Sequence, residues 1–144
     1  MHRDAAAALA QVQAELQKRQ LGLLIYDAYR PLSVQQHLWD LIQDERYVSN
    51  PAKNKGRHTR GTAVDLTIID AQGKPLPMPS EFDEFTERAH ADYARATPEQ
   101  TANRALLRSL MEKHRFKVFP YEWWHFDLVG WEDYPALDFA LERL

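Results

Sequence analysis

Two histidines and an aspartate occupy positions from which they could share one metal ion. His58 lies in a polar loop that enters a predicted strand, and Asp65 follows seven residues later on that strand. His125 lies on another predicted strand near the end of the chain. Two imidazoles and one carboxylate are a common ligand set for catalytic zinc, with the fourth position left for water. These residue types therefore suggest a zinc site.

Two charged residues could complete a hydrolytic site around such a metal. Glu122 lies three residues before His125, and a glutamate beside a ligand, but outside the ligand set, can accept a proton from the bound water. Arg30 follows a predicted strand and precedes Pro31. Its guanidinium could stabilise the oxyanion formed when hydroxide attacks a carbonyl. All the parts of a zinc hydrolase are thus present as residue types.

Each of these residues also has an ordinary structural explanation. A single histidine in a globular domain is more often a hydrogen-bonded residue than a ligand. Asp65 could cap a turn or pair with Arg60, while Glu122 could be a solvated charge and Arg30 part of a surface ion pair. The spacings alone, H-x6-D and E-x2-H, leave these alternatives open. The other histidines lack a partnered pattern and are expected to be structural: His2, His37, His90 and His114.

Hydrophobic periodicity predicts three helices and four strands that position these residues. The helices are the segments with apolar residues at helical spacing: 3–20, 33–44 and 98–113. The strands are short apolar runs: 23–28, expected to be buried, 62–69, 116–119 and 123–129. Asp4 and Ser33 are of the types that cap helix N-termini, so we expect them to begin the first two helices.

Alternation and spacing predict which faces are buried. In the strand at 62–69, Val64, Leu66 and Ile68 form an apolar face, and Asp65 lies on the opposite face. The second helix is expected to bury its apolar residues: Val34, Leu38, Leu41 and Ile42. Two irregular segments are expected to pack through aromatic rings: Phe82 and Phe85 within 74–97, and Trp131, Tyr134 and Phe139 in the tail.

Composition limits the class of protein. The chain has 144 residues, which predicts a single domain over residues 1–144. It has no cysteine, which excludes disulfides, a thiol nucleophile and cysteine-bound zinc. A net charge of −3 gives no basic surface for nucleic acid, and the apolar runs are far shorter than the ~20 residues that span a bilayer. The mixed order of elements predicts an α+β domain with a small, mainly antiparallel sheet flanked by helices.

The N-terminus bears on location. Its first residues are polar and charged and lack the apolar core of a signal peptide. We therefore expect a cytoplasmic protein; a periplasmic protein whose signal segment is absent from this sequence would look the same. The oligomeric state is left open.

Three segments match, in order, the motifs D-x-Y-R-P, S-x-H-x-x-G-x-A-x-D and E-W-W-H. They are Asp27-Ala28-Tyr29-Arg30-Pro31, Gly56 to Asp65 (GRHTRGTAVD), and Glu122-Trp123-Trp124-His125. With these motifs the chain resembles the VanX-type D-alanyl-D-alanine dipeptidases, zinc peptidases related to the D,D-carboxypeptidases of peptidoglycan metabolism. Met78 and the FDEF run at 82–85 resemble the substrate-side segment of that family, so the likeness covers nearly the whole chain.

The resemblance assigns a role to each candidate residue. It implies that His58, Asp65 and His125 bind one Zn²⁺ per chain. It implies that Glu122 is the general base, which later passes the proton to the leaving amine, and that Arg30 stabilises the tetrahedral intermediate. The implied fold is of the D,D-peptidase/hedgehog-like type.

Four residues are expected on the substrate side. The resemblance implies that Asp83 binds the free ammonium group of a dipeptide. Gly56 stands where the motif has serine, so a hydroxyl near the substrate carboxylate is missing and Arg57 is the candidate cationic anchor. Asp27, at the end of the first strand, and Trp124, one ring of the tryptophan pair, are also expected at the substrate pocket.

The activity implied by the resemblance is hydrolysis of D-Ala-D-Ala to two D-alanines. Two alternatives stay open: a D,D- or L,D-carboxypeptidase or endopeptidase on peptidoglycan stem peptides, and a non-catalytic zinc-binding cell-wall module. The family carries a further N-terminal segment that contributes to the pocket. Because this chain starts at the first helix, we expect either a more open cleft, which would also accept longer D-amino-acid peptides, or a truncated chain. Vancomycin resistance, wall recycling and use of D-alanine as food all need this chemistry, so the biological role is left open.

Overall fold

A four-stranded antiparallel sheet lies at the centre of the computed structural model, which describes residues 1–141. The strands in chain order are β1 (Gly22–Asp27), β2 (Ala63–Ile69), β3 (Phe116–Phe119) and β4 (Glu122–Leu128). Their order across the sheet is β1-β2-β4-β3. Since β2 and β4 are the inner strands, each is paired on both sides, and they form the rigid part of the sheet. The prediction of an α+β domain with an antiparallel sheet is confirmed.

Helices cover the sheet and complete the core. They are α1 (Arg3–Gln17), α2 (Leu32–Leu41), the short α3 (Pro51–Asn54) and α4 (Pro98–Lys113). Helices α1 and α4 contact each other, and α1 packs on β1 while α4 packs on β3. The buried apolar core comes from these helices and from the inner strands: Leu9, Val12, Leu16, Val64, Leu66, Ile68, Leu107, Leu110, Met111, Phe126 and Leu128. No helix within residues 1–141 is long and apolar enough to cross a membrane.

The caps predicted for α1 and α2 are wrong, although both helices are present. Helix α1 is capped by His2, whose Nδ1 accepts from the backbone N–H of Asp4 at 3.2 Å. Helix α2 begins at Leu32 after Pro31, so Ser33 lies inside the helix. The Ser33 hydroxyl instead donates to Asp138 Oδ1 at 2.7 Å, which ties the start of α2 to the tail.

The predicted buried face of α2 is also wrong. Leu41 is 68% exposed, and Val34 and Ile42 are exposed as well. The buried residue of this helix is Gln35, which is 2% exposed. Its amide oxygen accepts from Arg30, and its NH₂ donates to the carbonyl of Ser49. Helix α2 is therefore oriented by a polar contact with the arginine and not by an apolar stripe.

Strand β1 lies at an edge of the sheet, which explains why it is not the buried strand predicted at 23–28. Leu24 and Ile25 are exposed, because nothing within residues 1–141 covers their part of the edge. Strand β2, in contrast, is covered on both faces. Thr67 and Asp65 are as deeply buried as the apolar residues that alternate with them.

The irregular segments pack less completely than their aromatic content predicts. Phe82 packs against the core, and its ring stacks on Tyr26 at 4.3 Å, but Phe85 is exposed. In the tail, Tyr134 packs against the core, whereas Phe139 is exposed.

Candidate metal centre

The pairing of β2 with β4 brings Asp65 and His125 together. Asp65 is the direct partner of His125, and Ala63 is the partner of Asp127. Directly opposed residues of an antiparallel pair project to the same face of the sheet. The alternate pair, Val64 and Phe126, lies in the core. The alternation of β2 therefore places the two polar side chains on the face opposite the core.

A single 3₁₀ turn, His58–Arg60, delivers the second histidine to this face. The turn ends at Gly61, whose φ of 66° lies in the left-handed region that glycine adopts without cost. His58 Nδ1 donates to the carbonyl of Ala28 at 2.7 Å, and the backbone N–H of Arg30 donates to the carbonyl of His58 at 3.2 Å. These two bonds join the turn to the segment that carries the arginine.

Three potential ligand atoms converge at one point, and all three residues are buried. His58 Nε2 lies 3.2 Å from His125 Nδ1 and 3.3 Å from Asp65 Oδ2. His125 Nδ1 lies 2.9 Å from Asp65 Oδ1. In a tetrahedral zinc site with ligands at the usual bond lengths, neighbouring ligand atoms are about 3.3 Å apart. The spacing of the three atoms thus fits one small cation.

Each imidazole also makes a hydrogen bond through the ring nitrogen that points away from the site, and this bond determines which nitrogen carries the proton in the neutral ring. A carbonyl can only accept, so His58 Nδ1 carries its proton toward Ala28. His125 Nε2 likewise donates to Asp127 Oδ1 at 2.9 Å. In the neutral rings the inner nitrogens are therefore bare lone pairs, and Asp65 Oδ1 has no hydrogen-bond donor within residues 1–141. Lone pairs that face one another in a buried site need a cation between them, so this donor set fits a metal ion.

The pKa shifts of His125 and Asp65 also show that this site stabilises a positive charge. Burial opposes a charge on His125, but the carboxylates of Asp127 and Asp65 outweigh it and hold the pKa of His125 well above 6.5. Burial would raise the pKa of Asp65, yet His58 and His125 bring it well below its usual value. The carboxylate is thus ionised and available as a ligand.

Glu122 faces the same point without joining the three ligand atoms. Its Oε2 lies 3.7 Å from His125 Nδ1, beyond hydrogen-bond distance. Burial raises the pKa of the Glu122 carboxyl from 4.5 to about 7, with a further rise from Asp65 and an opposing effect of His125. A carboxyl group with this pKa can both accept and release a proton near neutral pH.

Arg30 is held in place by two side chains, those of Asp27 and Gln35. Arg30 Nε donates to Asp27 Oδ2 at 3.1 Å, Nη2 bonds the same oxygen, and Nη1 donates to Gln35 Oε1 at 3.0 Å. Asp27 also accepts from the backbone N–H of Ala28. Asp27 is not among the residues that line the cavity, and its carboxylate orients Arg30. Its predicted place at the substrate pocket stays a prediction.

The cavity over the three ligand atoms carries the other predicted residues. Its walls include Arg30, Arg57, Asp83, Glu122 and Trp124. Trp124 is buried, and its ring meets Phe82 edge-to-face at 5.5 Å. The other member of the tryptophan pair, Trp123, is also buried, and its indole N–H donates to Ser80 Oγ at 2.9 Å. One tryptophan thus forms a wall of the cavity, and its neighbour is anchored behind it.

Asp83 lies at the edge of the cavity, exposed to solvent on one side. Its φ of 58° is in the left-handed region, which aspartate tolerates better than most residues. Partial loss of hydration raises the pKa of its carboxyl, Asp65 raises it further, and Arg30 opposes the rise. No hydrogen bond or ion pair joins this carboxylate to another of the 141 described residues, so it is available to a cationic group.

Arg57 lines the cavity and also lies beside two aromatic rings and Asp127. Its guanidinium carbon is 4.4 Å from the ring centre of Phe119 and 5.5 Å from that of Trp131. Arg57 Nε lies 3.4 Å from Asp127 Oδ2. Within residues 1–141 its two terminal amino groups make no hydrogen bond, and the side chain lines the cavity.

The structure explains why glycine replaces the serine of the motif at position 56. Gly56 has a φ of 81°, a conformation that L-residues rarely adopt. A Cβ added there would lie 3.1 Å from Gln35 Cγ and 3.2 Å from Thr59 Cγ2. A side chain at position 56 would therefore strain the backbone and require Gln35, which holds Arg30, or Thr59 to shift by a few tenths of an ångström.

Two residues of the site were missed by sequence reasoning. Asp127 could have been found, because it lies two residues after His125 on a strand and therefore on the same face. Gln35 carried no signal: a glutamine in the first half of a helix is ordinarily exposed. Its burial depends on Arg30, which lies before the first residue of the helix and so is not part of the helical pattern.

Comparisons with known proteins place similar sequences among the D-alanyl-D-alanine dipeptidases. The family model for D-ala-D-ala dipeptidase, Peptidase_M15, matches residues 1–140. The chain is 42% identical over 137 residues to the D-alanyl-D-alanine dipeptidase of Escherichia coli (strain K12), covering 95% of this chain and 70% of that protein. It is 32% identical over 150 residues to the D-alanyl-D-alanine dipeptidase of Enterococcus faecalis (strain ATCC 700802 / V583), covering 90% and 74%.

The fold is similar to that of a solved zinc-containing structure. A mutant of the vancomycin resistance D,D-pentapeptidase VanY, in complex with Zn(II), superposes with a TM-score of 0.55 at 14% identity, over 92% of this chain and 74% of that one. At this identity the likeness concerns the fold alone. The match of the family model over nearly the whole chain, together with the two relatives, establishes that the chain belongs to the D-ala-D-ala dipeptidase family, Peptidase_M15.

Proposed function

We propose that this chain is a zinc-dependent D-alanyl-D-alanine dipeptidase in which His58, Asp65 and His125 hold one zinc ion. The observation that supports it best is the convergence of two imidazole nitrogens and a carboxylate oxygen in a member of this family. Bound zinc would polarise a carbonyl and bring the pKa of a bound water to roughly 7. Residues 1–144 are proposed to form one catalytic domain, which would unfold in a single transition.

Glu122 is the proposed general base. Its carboxylate faces the ligand atoms from 3.7 Å, close enough to reach a water at that point. It would take one proton from the attacking water and release the same proton to the amine nitrogen of the departing D-alanine. The raised pKa of about 7 suits both transfers. One water and one dipeptide then give two molecules of D-alanine.

Arg30 is the proposed stabiliser of the oxyanion. Of the five N–H groups of a guanidinium, three are occupied by Asp27 and Gln35, and two remain for a substrate oxygen. The two partners fix the orientation of the guanidinium before substrate arrives. A donor held in place in this way loses little entropy when negative charge develops on the carbonyl oxygen.

Asp83 and Arg57 are the proposed anchors for the two ends of a dipeptide. Asp83 offers a carboxylate without a partner to the ammonium group, and Arg57 offers two free amino groups to the carboxylate. Tyr47 also lines the cavity, and its ring lies 4.4 Å from that of Phe85, so the two loops meet beside the cavity. This arrangement favours a short zwitterionic substrate over a long stem peptide.

The test measures free D-alanine released from D-Ala-D-Ala by the zinc-loaded protein. N-acetyl-D-Ala-D-Ala is the matched substrate without the ammonium group, and a chelator removes the metal. We expect release from the free dipeptide, at least tenfold less from the acetylated one, and none with chelator. Equal rates on both substrates would indicate a carboxypeptidase instead. Zinc binding without any turnover would indicate a non-catalytic zinc-binding module.

A further inference from the structure

Asp127 is a buried acid directly behind one of the proposed ligands. Its Oδ1 accepts from His125 Nε2 at 2.9 Å, on the side of the ring away from the other ligand atoms. Its side chain is almost fully shielded from solvent. A buried carboxylate is costly unless it is paired and hydrogen-bonded, so the place of Asp127 in the fold depends on its partners.

Arg57 is the second partner of Asp127. Its Nε lies 3.4 Å from Asp127 Oδ2, and that nitrogen is buried with no hydrogen-bond partner within residues 1–141. The contact is therefore mainly Coulombic. The guanidinium carbon of Arg57 also lies 4.4 Å from the ring centre of Phe119 and 5.5 Å from that of Trp131, and these cation–π contacts help to keep the charge beside Asp127.

We propose that Asp127 is a positioning residue for the metal centre: it fixes the ring of His125 with Nδ1 bare and directed at the metal, and Arg57 holds Asp127 in that role. The inference rests on the proposed metal site but goes beyond it, because neither residue touches the metal. An acceptor on the far nitrogen of a ligating imidazole sets both its tautomer and its orientation. His58 has the carbonyl of Ala28 for this purpose, and His125 has the carboxylate of Asp127.

The first test measures the dissociation constant for Zn²⁺ by competition with a chromophoric chelator, in the absence of substrate. Loss of such an acceptor typically weakens metal binding by 10- to 100-fold, which is the effect we expect for Asp127→Ala. Asp127→Asn keeps the shape and one accepting oxygen, and should give a smaller loss. The control is Asp92→Asn, which removes an exposed aspartate that pairs with Arg108 at 2.8 Å, and should bind zinc like the parent.

The second test separates positioning from a merely structural ion pair. Long-range ¹H–¹⁵N correlation spectra of zinc-loaded protein report which nitrogen of His125 carries the proton. We expect a protonated Nε2 in the parent and a mixture of ring states in Asp127→Ala. Arg57→Gln should weaken zinc binding less than Asp127→Ala does, and should have no further effect in the Asp127→Ala background, because Arg57 acts through Asp127.

The outcomes are distinct from those of the proposed function. If the parent binds no zinc, the metal site itself is wrong. If the parent binds zinc and both Asp127 variants bind it within twofold of the parent with an unchanged His125 ring state, the positioning role is wrong and the dipeptidase proposal stands. A lower melting temperature with unchanged zinc affinity would likewise reduce Asp127 to a structural ion pair.

Discussion

The cavity is built from two regions of very different character. Its floor consists of β2 and β4 (63–69 and 122–128), where Asp65, Glu122 and His125 are buried and the strands are paired on both sides. Its rim consists of the segments 42–50 and 79–87, which are largely irregular and less buried than the floor. The contact between Tyr47 and Phe85 joins the two halves of the rim.

This difference separates chemistry from recognition. Groups that move protons or hold a metal must keep their geometry within a fraction of an ångström, which paired strands provide. Groups that recognise a substrate can lie on loops, whose sequence and length vary without loss of the scaffold. Substitutions on the floor should therefore reduce turnover or stability, whereas substitutions on the rim should change which substrate is bound.

The largest effect is expected on the floor, for Glu122→Gln. Removal of a general base lowers turnover by roughly 10²- to 10⁴-fold, while the three ligands remain and zinc stays bound. Steady-state release of D-alanine and the zinc content of the purified variant are the two measurements. Glu112→Gln, on an exposed position of α4, is the control and should keep the parent rate. Parent activity in Glu122→Gln would show that the assigned base is wrong.

The second prediction concerns stability instead of turnover: Leu66→Ala should lower the free energy of unfolding substantially. This side chain of β2 is fully buried in the core, and truncation of a buried leucine costs about 2–5 kcal/mol of the free energy of unfolding. Urea unfolding followed by circular dichroism gives the value. Leu41→Ala, at a residue that is 68% exposed, should change the same quantity by less than about 0.5 kcal/mol. Equal losses in the two variants would contradict the core assigned to β2.

A smaller and more selective effect is expected on the rim, for Asp83→Asn. The lost interaction with the ammonium group is worth roughly 1.5 kcal/mol, at the low end for a charged hydrogen bond because the residue is exposed, or about tenfold in kcat/KM. The loss should fall on D-Ala-D-Ala and spare the N-acetylated substrate. If kcat/KM falls equally for both substrates, Asp83 does not bind the ammonium group of the substrate.

The smallest effect is expected for Phe85→Ala, which breaks the contact across the rim. An aromatic pair adds about 1 kcal/mol to the free energy of unfolding, so the fold should persist. Cleavage of D-alanine tripeptides relative to the dipeptide should increase, because the two halves of the rim can separate. Phe139→Ala, an exposed aromatic outside the cavity, is the control. An unchanged ratio of the two substrates would show that the rim does not limit substrate length.

The floor could be predicted from the sequence far better than the rim. Asp65 and His125 lie on strands, and once these pair, alternation alone puts both side chains on one face. The core residues Val64, Leu66 and Ile68 follow from the same alternation. The arrangement of His58 with these two needed the order of the motifs, because the bond from its ring to Ala28 spans thirty residues.

Apolar periodicity does not reveal how the polar groups around Arg30 are arranged. Apolar spacing in α2 predicts a buried stripe that includes Leu41, but the helix packs through Gln35 because Arg30 needs an acceptor there. Likewise, the sequence pattern gives no sign that the carboxylate of Asp27 accepts hydrogen bonds from the guanidinium of Arg30. Periodicity shows which apolar residues share a face of an element; it does not show which polar groups pair with one another.

The acceptor of His58 also bears on how such a site can change in evolution. In the pattern D-x-Y-R-P, position 28 is the one written as free, yet its carbonyl orients a proposed metal ligand. Since every residue carries the same carbonyl, substitutions at Ala28 leave this contact intact as long as the path of the main chain is kept. A site can therefore require a position absolutely while placing almost no demand on its amino acid.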